Sequence, residues 1–148
     1  MLVRKKINII SFISGIRLVS KDGKVWVECL SDSPVFVQSK IANILEGVHP
    51  LSIWKIIPGS SKVLFDGSLF ADHLTKTVNS GYEAVFELSK MCAVRISFVK
   101  GWGSDYHRKD PTSTPCWIEV HLNLPLKWLD TVLQEMAPPN VLGITSTS

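Results

Sequence analysis

The chain has no run of about 20 consecutive apolar residues, so no membrane-spanning helix is expected. Cysteine is scarce. Cys29, Cys92 and Cys116 are odd in number and widely spaced, which argues against a disulfide framework and suits reduced thiols in the cytosol or nucleus. A strong charge of one sign is also missing. The net charge of +3 over 148 residues gives no global case for nucleic-acid binding, and no direct DNA contact is expected. The chain contains no CxxC, HExxH, P-loop or GxSxG sequence. Its histidines (His49, His73, His107, His121) and cysteines do not fall at metal-ligand spacing, so neither a metal nor another cofactor is expected. Asp105, His107 and Ser113 are residue types of a nucleophilic set, but their spacing assigns them no such role, and the chain is expected not to be an enzyme. Residues 1–16 have the basic start of a signal peptide in Arg4, Lys5 and Lys6. Asn8, Ser11 and Ser14 interrupt the apolar run and no small-x-small site follows, so an irregular start leading into a strand is expected.

What is present is a hydrophobic fraction of 45%, enough for one core in one domain. The Asp22-Gly23 pair predicts a tight hairpin within residues 17–30, with Val25, Val27 and Cys29 on one face. Short strands follow at residues 35–38 and 62–65. Between them, residues 39–61 carry weak periodicity and read mostly as loop. Asp66 or Ser68 caps a helix bearing Leu69, Phe70, Leu74 and Val78, and a second helix covers residues 82–90. Residues 92–98 and 116–122 alternate strongly as strands. Residues 125–136 form the clearest helix, with Leu126, Leu129, Val132, Leu133 and Met136 as its apolar stripe. Residues 138–148 form a tail with nothing to hold it down.

The stretch 98–119 holds the most chemistry. Lys100, His107, Arg108 and Lys109 give it cationic donors, Trp102 and Tyr106 give it aromatic surface, and Gly101 and Gly103 allow sharp turns. A loop of this length in a compact chain is uncommon. Its glycines, prolines and aromatics argue for a fixed binding element that is exposed on the surface.

Several runs are specific. They are residues 28–33 (Glu28, Cys29, Leu30, Ser31, Asp32, Ser33), residues 36–39, His49 with Pro50, and Lys55 with the Ile-Ile-Pro-Gly that follows it. Residues 98–103, residues 112–119 and Trp128 with Leu129 and Asp130 complete the set. On these runs the chain resembles the C-terminal Mad-homology domain of the Smad family, transducers of the transforming growth factor β pathways, over residues 15–148. The resemblance implies a mainly β fold with flanking helices, a β-sandwich of Smad/FHA-like type. It places residues 15–137 in that domain and leaves residues 1–14 as a non-matching segment, so the sandwich is expected to lack its N-terminal strands. Residues 41–48 also depart from the family pattern.

The resemblance further implies a phospho-switch. Receptor-regulated members end in Ser-Ser-x-Ser, and the end here, Thr145, Ser146, Thr147, Ser148, puts the expected phosphorylation sites at Ser146 and Ser148. The implied phosphoserine-binding residues, on a neighbouring subunit of a trimer, are Lys55, Lys100, Tyr106 and Arg108. His107 and Asp110 match the receptor-specificity loop of the bone-morphogenetic-protein branch, and Asp130 matches a residue of the subunit interface. The implied partners are a type I receptor serine/threonine kinase, a common-partner Smad and other Smads, and transcription cofactors. The expected location is cytoplasmic, then nuclear after activation. The competing expectation is a truncated fragment, inert or dominant-negative, that does not fold alone.

Overall fold

The computed structural model describes residues 2–3, 9–13, 15–103, 106–114 and 116–136. In chain order the elements are β1 (Leu2–Val3), β2 (Ile9–Ile13), β3 (Ile16–Lys21), β4 (Lys24–Cys29), β5 (Val35–Ser39), α1 (Lys40–Leu45), β6 (Trp54–Ile56), β7 (Ser61–Asp66), α2 (Gly67–Val78), α3 (Tyr82–Ser89), β8 (Ala93–Phe98), a short 3-10 helix (Pro111–Ser113), β9 (Trp117–Leu122) and α4 (Asn123–Met136). The strands form a five-stranded sheet in the order β1-β9-β8-β5-β6 and a four-stranded sheet in the order β2-β3-β4-β7. All pairings are antiparallel except β1 on β9.

Period-2 alternation decides which face of each strand meets the core. The predicted hairpin forms, with β3 and β4 joined through Asp22 and Gly23. Val25, Val27 and Cys29 are buried, whereas Trp26 and Glu28 lie on the outer face. Val35 and Val37 of β5, Ile56 of β6, Val94, Ile96 and Phe98 of β8, and Val120 and Leu122 of β9 bury their side chains in the same core. The two inner faces thereby make a mainly β sandwich with helices attached, as the resemblance implied. The strand expected over 116–122 starts one residue later: Cys116 lies exposed ahead of β9 and does not join the inward face of Val120 and Leu122.

Residues 39–61 are more ordered than their weak periodicity predicted. Ser39 accepts a hydrogen bond from the Ala42 amide (3.2 Å) and caps α1, while its hydroxyl donates to the Leu64 carbonyl (2.8 Å) and ties the helix start to β7. β6 adds three residues at the edge of the five-stranded sheet.

Of the two candidate caps for α2, Asp66 does the capping. Its carboxylate accepts from the amides of Ser68 (3.0 Å) and Leu69 (3.3 Å). Phe70 and Leu74 face the core, but Leu69, predicted for the same stripe, is exposed. In α3, Val85 and Leu88 are buried while Phe86 faces out and stacks on Tyr82 with centroids 6.3 Å apart. α4 begins at Asn123, ahead of the predicted start at Pro125. Pro125 still falls in the first turn, where its missing N–H leaves no intrahelical bond unmade. The predicted stripe holds: Leu129 is buried, and Leu126, Val132, Leu133 and Met136 pack against the core. α3 packs on both α2 and α4.

Candidate functional site: a cationic cleft on the five-stranded sheet

Among the strands whose burial is described, β5 alone is buried along its whole length. Alternation points Phe36 and Gln38 away from the sandwich core, yet they are only 4% and 8% exposed. Segments 49–53 and, from the loop after β8, 101–103 and 106–109 cover them and leave a cleft of about 670 Å³ on the outer face of the sheet. Phe36, Gln38 and Trp102 contribute to its lining, with Leu51, Ser52 and Ile53 from one covering segment and Gly103 from the other. Among the described residues its lining includes the polar groups of Lys55, His49, Tyr106 and Lys109 and no Asp or Glu. Lys55 is placed by strand register, directly opposite Phe36, which in turn lies opposite Ser97.

Side-chain bonds fix the first cover. The Gln38 side-chain amide donates to the Leu51 carbonyl (3.1 Å). Asn43, fully buried on α1, donates to the carbonyls of Pro50 and Ser52 (2.9 Å each) and accepts from the Trp54 indole N–H (2.8 Å). The buried amide thus meets three partners and pins the 50–52 backbone to α1, which conveys the sequence of that short helix into the shape of the cleft. His49 Nδ1 accepts from the Leu51 amide (3.1 Å), so the neutral ring carries its proton on Nε2, where it can donate.

The second cover is the loop after β8. It starts from Val99, whose φ of 71° is a high-energy backbone state for a β-branched residue. Trp102, expected as aromatic surface, is 3% exposed and forms part of the cleft wall. The loop is therefore folded down onto the sheet rather than projecting from it. Glycine is required twice. A Cβ on Gly101 would stand 2.7 Å from Tyr106 Cζ and 2.9 Å from Phe36 Cε2, because the Tyr106 ring meets Phe36 edge-on at 5.6 Å across this point. Gly103 has a φ of +107°, and a Cβ there would lie 2.8 Å from Ile53 Cδ1. The Gly103 amide donates to the Arg108 carbonyl (2.7 Å) and the Tyr106 amide donates to the Gly103 carbonyl (3.1 Å), which closes the loop on itself.

Of the four phosphoserine-binding residues implied by the resemblance, Lys55 and Tyr106 come together in the cleft. Lys100 and Arg108 do not line it. Lys100 is exposed beside Val99 with its carbonyl bound by the Ser97 hydroxyl (2.6 Å), and Arg108 is partly buried. His107 and Asp110 are exposed on the same loop. The Asp110 carboxylate is already engaged, accepting from the amide (2.9 Å) and the hydroxyl (2.8 Å) of Thr112 at the start of the 3-10 helix. The Thr112 amide, then its hydroxyl, hold the Asp110 carboxyl below its usual range against an opposing effect of burial, with a lesser contribution from the charge of Arg95. Because the folded pKa is lowered, this cap is in place at neutral pH and is lost only as the pH falls through that lowered value. Asp130 is exposed on α4 and accepts from the Gln134 side-chain amide (3.2 Å). Ser146, Ser148 and Asp105 lie outside the described residues.

Sequence reasoning left His49, Gln38 and Lys109 out of the site. Lys109 was visible only as one cation among several in the loop. Phe36 and Gln38 had a usable signal, since both fall on the outward parity of a strand whose inward parity carries Val35 and Val37.

Among the described residues no group of three or more His, Cys, Asp or Glu is arranged to hold a metal ion. Burial pushes the Cys92 thiol up to about 12, so it stays protonated and inert. Among the described residues no helix is long and apolar enough to cross a membrane.

Fold and site together define a β-sandwich with a surface cleft built on one sheet, closed by two loops and lined by Lys55, His49, Tyr106 and Lys109. A family model described as the MH2 domain matches residues 3–123, and the chain belongs to that family. The match takes in residues 3–14, within the segment that the sequence reading had set apart, and in the structure β2 is the outer strand of the four-stranded sheet. MH2 domains are protein-interaction domains rather than enzymes. Through them Smad proteins engage receptors and one another, and the chain carries this Smad-type signalling function.

Proposed function

We propose that this chain is a receptor-regulated Smad of the bone-morphogenetic-protein branch, switched by phosphorylation of Ser146 and Ser148. A type I receptor kinase modifies the tail. The phosphorylated tail then enters the cleft of a neighbouring subunit, and a trimer forms with a common-partner Smad or with further copies. The assembly moves from cytoplasm to nucleus and works on transcription through cofactors.

One observation carries this reading: Lys55 and Tyr106, 51 positions apart in sequence, line one cleft that has no Asp or Glu among its described lining residues. Each phosphate adds about −1.5 to −2 charges and several acceptor oxygens, which such a surface attracts. Lys100 and Arg108, on the same loop, supply charge outside the lining. His107 and Asp110 serve receptor choice, Asp110 by fixing the loop's shape through its bonds to Thr112. Asp130 offers an exposed carboxylate to a subunit neighbour.

The test uses the full chain carrying phosphoserine at both Ser146 and Ser148. Sedimentation should give three times the monomer mass for the phosphorylated chain and the monomer mass for the unmodified one. Lys55→Ala should return the phosphorylated chain toward monomer. A phosphorylated chain that stays monomeric at tens of micromolar contradicts the proposal.

A further inference from the structure

We propose that Lys109 is a second cationic anchor of this cleft, contacting the phosphate of the incoming tail together with Lys55. The inference rests on the reading that the cleft receives a phosphorylated tail.

Lys55 and Lys109 line the same cavity from separate elements, Lys55 from β6 and Lys109 from the loop after β8. Both side chains are exposed. Among the described residues neither is in an ion pair, whereas Lys24, Lys62 and Lys90 each have a carboxylate partner. Among the described residues the cleft therefore presents two ammonium groups without a carboxylate partner in one lining.

An occupant with a single negative charge leaves one of these groups unmatched. A phosphomonoester, with about two charges at neutral pH and oxygens on three sides, can meet both. The other donors are neutral and directional: the Tyr106 hydroxyl, and the Nε2–H that His49 presents because its Nδ1 is bound by Leu51. Buried Phe36 and Trp102 in the wall keep water from the inner side of the site, which strengthens each charged contact. Arg108, the adjacent residue expected to take this role, is absent from the lining. Lys109 lines the cleft, where the resemblance implied Arg108.

The experiment titrates a fluorescent peptide of residues 138–148, phosphorylated at Ser146 and Ser148, into the full chain and reads anisotropy. Lys109→Gln keeps much of the stem and removes the charge. It should weaken binding about tenfold, the scale of one charge-assisted hydrogen bond, and Lys55→Gln should do the same. Lys76→Gln, on the exposed side of α2, should bind like the parent chain. A peptide with Glu at both positions should bind weakly to the parent chain and lose little further with Lys109→Gln. If Lys55→Gln weakens the phosphopeptide and Lys109→Gln does not, Lys109 is no anchor, although the tail reading stands. If the phosphopeptide shows no saturable binding to the parent chain, the tail reading fails and this inference falls with it.

Discussion

Phe70→Ala is expected to lower the unfolding free energy by about 3–5 kcal/mol, a large share of the roughly 5–15 kcal/mol that holds a domain of this kind together. Phe70 is fully buried at the start of α2. Its ring lies 5.3 Å from Phe65 of β7 and stacks on Trp128 of α4 at 5.8 Å with the planes 7° apart. It thus joins the four-stranded sheet, α2 and α4 at one point. Truncation removes the transfer energy of a large ring, leaves a cavity and breaks two aromatic contacts together. Urea unfolding followed by circular dichroism would read the loss as a shift of midpoint at constant slope. Phe70→Leu should recover much of it. A Phe70→Ala change below about 1 kcal/mol would mean that this junction is not part of the cooperative core. The parent chain's own transition bears on the competing expectation of an inert fragment: a single cooperative step shows that the sandwich folds alone.

The second large effect is expected at Gly101. Gly101→Val puts branched carbon where Tyr106 Cζ and Phe36 Cε2 would be within 2.9 Å of the first added atom. Phe36 is buried in the sheet and has little room to give, so the Tyr106 ring must leave its edge-on contact, and the loop moves with it. The stability cost should be about 1–3 kcal/mol, as for overpacking elsewhere. The functional cost should be larger in proportion, with phosphorylated-tail binding lost while the melting transition stays cooperative. Gly101→Val that binds the tail like the parent chain would show that the Phe36–Tyr106 contact does not shape the cleft.

How much of this was legible in the sequence depended on the kind of signal each residue carried. The β3–β4 hairpin and strands β8 and β9 were readable because strict alternation runs for six residues and an Asp-Gly pair marks the turn. α1, with six residues, and β6, with three, are too short to show a period. Their stability comes from Ser39, Asn43 and pairing with β5, none of which is a local pattern. Trp102 read as surface because a loop residue has no parity. Only the folded chain shows the wall that it completes. Lys55 and Tyr106 were linked by resemblance alone, since nothing local to either residue joins β6 to a loop some fifty positions away. Arg108 and Lys109 are adjacent cations that sequence cannot rank; the loop closure from Gly103 to the Arg108 carbonyl helps decide which side chain turns toward the cleft.

The cleft as receiver of the phosphorylated tail is tested most directly by amide chemical-shift mapping. The doubly phosphorylated 138–148 peptide is titrated into the isotope-labelled chain. The shifts should concentrate on Phe36, Gln38, Lys55, Gly103 and Lys109 and saturate together. Shifts centred instead on α2 and α3, or on the outer face of β3 and β4, would contradict the assignment of the tail to this site.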